Sequence, residues 1–183
     1  MTTIAVIYFS STGTTARLAQ AVIAGAAETG VQVLDLVISG ADIDQGRWGN
    51  EEIASQLDGA DAIIFGTPTY MGSVSGQLKA FFDAMAPRWY TQAWRNKIAS
   101  GFTASSLAAG DKSSTFVAIT TFAMQMGMIW CGTGGSFSEG VNSNGFYFGA
   151  GATASAPDQL NEIDLATGRH LGKRVAELTQ KLS

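Results

Sequence analysis

Two hydrophobic periods alternate along the chain. Apolar-rich runs of strand length occur at residues 3–9, 31–38, 60–65, 97–103 and 128–131. The short β-rich run at 3–9 is the signature of a strand buried on both faces. Between them apolar positions recur at helical spacing. Leu18, Val22 and Ala26 share one face of 17–29, and Gly30 sits where a helix of that span would end. Asn50 is placed to cap a short helix with Glu51 and Glu52 in its first turn and Ile53 and Leu57 on its apolar side. Residues 73–86 and 115–127 also read as helices. Pro87 ends the first, and Phe116, Ile119, Thr120 and Ala123 keep register in the second. The last helix carries Leu171, Val175, Leu178 and Leu182 on one stripe and the pair Glu177 and Lys181 on another. Residues 39–49 read as a polar loop.

Strand and helix alternate five times, the pattern of an α/β chain with a parallel sheet between two helical layers. Right-handed crossovers and five strands favour the order 2-1-3-4-5. In that order the ligand crevice lies beyond the carboxyl ends of the first and third strands. No boundary divides residues 1–183, so one domain is expected. Within it, 132–155 is glycine-rich and without period. It reads as an insertion, either a loose loop or an ordered piece pressed against a neighbouring subunit.

Composition narrows the functional classes. Hydrophobic residues make up 46% of the chain, enough for a core, while charged residues make up only 14%, which points to extensive burial or subunit contacts. The net charge of −4, with no basic run, argues against nucleic acid as a partner. Cys131 and His170 are the only cysteine and histidine, so neither a disulfide framework nor a zinc site is expected. Both read as packing residues. The N-terminal apolar run is short and lacks a basic flank, and no run is long enough to span a bilayer. A cytoplasmic location is the expectation.

The chemistry concentrates where the first strand meets the first helix, at Ser10-Ser11-Thr12-Gly13-Thr14-Thr15. A helix N-terminus there offers free N–H groups and the positive end of its dipole to an anion. The hydroxyls of Ser10, Thr12, Thr14 and Thr15 add donors, and Gly13 allows close backbone approach. No lysine is present, as a nucleotide triphosphatase loop would require, and one glycine does not make a dinucleotide loop. The reading is a single terminal phosphate held by neutral dipoles. The alternative is simple helix capping, for which one hydroxyl suffices.

Ser10-x-Thr12-Gly13-x-Thr15 fits the Ser/Thr-x-Thr-Gly-x-Thr phosphate pattern of flavodoxin-type FMN proteins. The longer segment GTPTYMGSVSGQLKAFFD, 66–83, closely resembles a motif of the WrbA-type NAD(P)H:quinone oxidoreductases, and the similarity extends through Trp89, 97–103 and the C-terminal tail. The resemblance implies a flavodoxin-like fold with FMN as cofactor and NAD(P)H as electron donor. A small quinone is the implied acceptor, and a homodimer or homotetramer the implied assembly. It places the flavin against Thr67, Pro68, Thr69, Tyr70, Met71 and Gly72, and against Thr103, Ala104, Ser105 and Ser106. It puts Trp89, Tyr70 and Met126 at the substrate slot. Relatives often carry histidines where this chain has Gln125 and Met126, so no titrating donor is expected there. Hydride transfer asks the protein mainly to stack and orient, and no catalytic acid or base is assigned. An electron carrier with no substrate of its own, or a non-enzymatic flavin-binding module, are the competing readings. Trp94 reads as core.

Overall fold

Aliphatic and β-branched residues, closed by one tyrosine, fill β1 (Thr3–Tyr8), and from Ile4 onward every one is buried. Its alternate residues feed two cores. Ile4, Val6 and Tyr8 pack with Leu18, Val22, Leu171 and Val175. Ala5 and Ile7 pack with Leu57, Leu78, Phe81, Ile119 and Phe122. The structure, a computed structural model, describes residues 1–182.

The order along the chain is β1, α1 (Thr14–Ala27), β2 (Gln32–Val37), β3 (Ile43–Asp44), β4 (Arg47–Trp48), α2 (Glu51–Gly59) and β5 (Ala62–Pro68). There follow α3 (Gly76–Ala84), α4 (Ala86–Thr91), β6 (Ile98–Ser105), α5 (Lys112–Gln125), β7 (Ile129–Trp130), β8 (Ala150–Thr153) and α6 (Glu162–Leu182). The main sheet runs β2-β1-β5-β6-β7 with every pairing parallel. Counting only its principal strands, this is the expected 2-1-3-4-5. Helices α1 and α6 cover one face and α2, α3 and α5 the other. The α1–α6 crossing is close because glycines sit in it. A Cβ on Gly172 would lie 1.9 Å from the Val22 carbonyl oxygen, and one on Gly25 would lie 1.8 Å from that of Arg169.

Four details depart from the sequence reading. Helices α1 and α5 begin three residues earlier than expected, so Thr14 and Thr15 form the first turn of α1. The span 73–86 is not one helix. Ser75 caps α3 by accepting the Leu78 N–H at 3.2 Å. Pro87 opens α4 instead of closing α3, a position where its missing N–H is harmless. The 39–49 loop contains the β3–β4 hairpin, turned by Gln45 and Gly46 at φ 47 and 79°. Trp48 leaves it to meet Phe81 edge-on at 5.0 Å.

The last strand is split. β7 pairs with the start of β6, Ile98↔Ile129 and Ala99↔Trp130. β8 pairs with its end, from Phe102↔Ala150 to Ser105↔Thr153. The stretch between them is bonded to its surroundings. The Trp130 indole donates to the Phe148 carbonyl at 3.0 Å, the Thr133 N–H to the Tyr147 carbonyl at 3.1 Å, and the Asn142 N–H to the Thr167 hydroxyl at 2.8 Å.

Candidate cofactor-binding site

β1, β5 and β6 run parallel, so the loops that follow them meet at one edge of the sheet. They enclose a crevice of about 420 Å³ lined by Ser11, Thr12, Thr14, Thr15, Pro68, Thr69, Tyr70, Ala104, Ser105 and Ser106, with Ala154 and Ser155 beyond β8. The volume lies in the usual range for a small-molecule or cofactor site. No charged side chain lines it.

The β1–α1 corner divides its labour. The Ser10 hydroxyl accepts the N–H groups of Gly13 and Ala16, each at 3.2 Å, and so caps the helix itself. Gly13 takes φ 92°, the left-handed conformation that glycine adopts without strain. With capping done by one residue, the N–H groups of Thr12, Thr14 and Thr15 have no hydrogen-bond partner among the described residues. Their side chains line the crevice, with the Thr12 and Thr14 hydroxyls 3.4 Å apart. Unpaired amides and hydroxyls at the positive end of a 14-residue helix suit a phosphate monoester.

The β5 loop supplies the second wall. Tyr70 and Ser73 exchange backbone hydrogen bonds around a two-residue turn in which Met71 and Gly72 take φ 48 and 74°. Pro68, Thr69 and Tyr70 face the crevice, and the Tyr70 phenol is paired with the Ser11 hydroxyl. Met71 stands fully exposed at the turn tip and, with Gly72, is outside the lining. Thr67 and Thr103 lie under the floor. Thr67 accepts the Ser75 N–H at 3.0 Å, and Thr69 joins Thr103 and Thr115 in a buried hydroxyl cluster at 2.8 and 2.9 Å.

Trp89 and Met126 are not brought to this crevice. They line a separate hollow of about 550 Å³ between α3, α4 and α5, where Phe82 and Phe122 stack at 3.8 Å. α3 and α5 both start at the crevice edge and run away from it, so residues that follow them lie at the far end. Trp94 is fully buried and donates to Asp58 at 2.7 Å. Cys131 is buried, which pushes its thiol pKa up, and the Arg174 charge opposes that shift. The His170 Nε2 is buried without a partner under Gly135.

Sequence reasoning missed Ala154 and Ser155. They reach the crevice only because β8 resumes the interrupted strand, and their one signal was the short run Ala150–Thr153 inside a segment read as insertion.

A sequence profile of the family described as NADPH-dependent FMN reductase matches residues 2–141. A flavodoxin of Pseudomonas aeruginosa, FldP, is 35% identical to this chain, covering 97% of it and 96% of the relative. A protein of Archaeoglobus fulgidus named NAD(P)H dehydrogenase (quinone) is 34% identical, covering 100% of both chains. The solved structure of a WrbA-like flavodoxin from Agrobacterium tumefaciens superposes at TM-score 0.80, with 33% identity and 100% of both chains covered.

Proposed function

The chain belongs to the NADPH-dependent FMN reductase family, and from that premise we propose that it passes two electrons from NAD(P)H, by way of FMN, to a quinone. The fold is flavodoxin-like and the protein is an FMN-binding, NAD(P)H-dependent oxidoreductase. The quinone acceptor is supported by the name of the Archaeoglobus fulgidus relative and by the 66–83 motif.

The observation that carries the reading is the uncharged corner of free amides and hydroxyls at the start of α1. Thr12, Thr14 and Thr15 hold the phosphate there. Pro68, Thr69 and Tyr70 flank the rest of the cofactor on one side, with Ala104, Ser105 and Ser106 on the other. Tyr70 is held in place by Ser11. FMN, when bound, supplies the hydride-accepting and electron-donating chemistry. The lining carries no carboxylate, imidazole, amine or thiol. The contribution of this chain is therefore to orient donor and acceptor and to keep the cofactor's anionic end desolvated among fixed dipoles.

Two further parts of the reading concern context. Trp89, Tyr90, Val117 and Met124 leave large apolar side chains exposed on α4 and α5, which supports self-association as a dimer or tetramer. No helix among the described residues is long and apolar enough to cross a membrane, in keeping with work in the cytoplasm.

The test is anaerobic addition of NADH or NADPH to FMN-loaded protein, followed by benzoquinone. Bleaching of the yellow band, then quinone-dependent return of colour at a turnover rate, is the expected result. Failure of both nucleotides to bleach the band would select the electron carrier instead. Absence of FMN binding would remove both readings.

A further inference from the structure

Among the described residues, Lys112 is the one lysine or arginine that is fully buried. An ammonium group carries three donors and no acceptor. All three are used here. They go to the carbonyls of Leu107 at 2.7 Å and Ala108 at 2.9 Å, and to the Thr153 hydroxyl at 3.2 Å. The Phe146 ring lies beneath the charge, with its centroid 5.6 Å away. The counter-charge is Asp164, also buried, which accepts the Thr153 N–H at 2.9 Å and the Asn144 side-chain amide at 2.7 Å. Burial lowers the Lys112 pKa and raises that of Asp164, and each charge works against the shift of the other.

What the ammonium grips is the back of the crevice wall. Residues 105–110 form a tight loop that presents Ser105 and Ser106 to the cofactor side. The Ser105 hydroxyl donates inward to Leu107 at 3.0 Å. Gly110, at φ +54°, comes so close that a Cβ there would lie 2.3 Å from the Ser105 oxygen. Lys112 closes the loop from behind and ties it to β8, which delivers Ala154 and Ser155 to the same crevice. Burying two charges costs several kcal/mol each in desolvation, and apolar groups of equal volume often serve stability as well. A purely structural strut therefore has no need of a charge, whereas two loop carbonyls and a β8 hydroxyl that must keep one arrangement take up all three directed donors of an ammonium.

We propose that Lys112 is a positioning residue for the cofactor, setting the Ser105–Ser106 wall against the flavin end of the crevice while the α1 corner holds the phosphate end. The proposal rests on the FMN reading above. Its test compares wild type, Lys112→Met, Thr153→Val and Thr12→Ala. Affinities for FMN and for riboflavin are measured by flavin fluorescence quenching on apoprotein, alongside apoprotein melting and the visible circular dichroism of the bound flavin.

Lys112→Met is expected to weaken FMN and riboflavin by the same factor, tenfold or more, and to change the dichroism of the bound ring. Thr12→Ala is expected to weaken FMN alone. Lys112→Met binding both flavins within twofold of wild type overturns the proposal, whatever its melting temperature. If Lys112→Met does not fold, Thr153→Val decides. A parallel loss of threefold or more for both flavins supports the proposal, and wild-type affinity for both overturns it. Wild type that binds neither flavin sinks the FMN reading itself, a result distinct from wild type that binds and a Lys112 variant that is indifferent.

Discussion

The crevice at the carboxyl edge of the sheet is walled by hydroxyls and backbone amides, whereas the larger hollow between α3, α4 and α5 is floored by the stacked rings of Phe82 and Phe122. Both contain residues that the sequence nominated for one site. In the crevice, polar groups are left unpaired on one side and fixed by hydrogen bonds on the other. In the hollow the exposed surface is the outer side of a hydrophobic core. Volume favours the hollow, but free directional donors favour the crevice, and specificity for a phosphorylated cofactor comes from donors.

The sharpest way to break this comparison is to damage each concavity and ask what is lost. Phe122→Ala removes a buried ring from the floor of the hollow and should cost about 3–5 kcal/mol of stability. Denaturant melts of apoprotein measure it, and FMN affinity of the folded fraction should stay put. Thr12→Ala or Thr15→Ala should do the reverse. Each is expected to weaken FMN by about 1–3 kcal/mol through lost hydrogen bonds to a charged group. Titration calorimetry reads this directly, and unchanged affinity in both variants would remove the phosphate assignment. Trp89→Ala should leave FMN affinity within about twofold, since the ring is half-exposed in the other hollow. A large loss of FMN there would mean that the two concavities are coupled.

The smallest effect concerns titration. The crevice lining holds no acid, whereas Glu139 in the insertion accepts the Ser136 N–H and hydroxyl at 2.7 and 2.9 Å. Those bonds hold its carboxyl pKa below the ordinary value. A depressed folded pKa means stability that is present above the unfolded value and lost as pH falls through the folded one. Hydrogen exchange at the Glu139 and Gly140 amides should therefore accelerate in acid beyond the intrinsic rate, while the Ser10-capped turn of α1 does not respond in the same way.

The corner of hydroxyls and free amides was legible in the sequence because it is local: six adjacent residues at a strand–helix junction need no tertiary information. The strand order followed from the alternation of apolar runs with helical ones. What stayed hidden depended on distance or on short elements. Trp89 and Met126 are placed at the substrate slot by resemblance, and nothing in their spacing says at which end of a helix they fall. Pro87 reads equally as a stop or as a start, and only the break at Met85 decides. Thr67 and Thr103 look like the hydroxyls of the corner, yet Ser75 at the cap of α3 takes up the first and Thr69 the second. The Lys112 network joins residues 107, 153 and 164 through a split strand that two and four residues of pattern could not announce.

That split edge also says how the chain can be edited. On β6 only Ser100 and Gly101 separate the stretch paired with β7 from the stretch paired with β8, while residues 131–149 intervene on the partner side. The excursion leaves and rejoins the sheet in register. Edits therefore belong at its exposed turn, residues 137–140. Removing 131–149 would also remove Asn144, which donates to Asp164, Phe146, which lies beneath the Lys112 ammonium, and the buried Val141, and so strip the brace from the crevice wall.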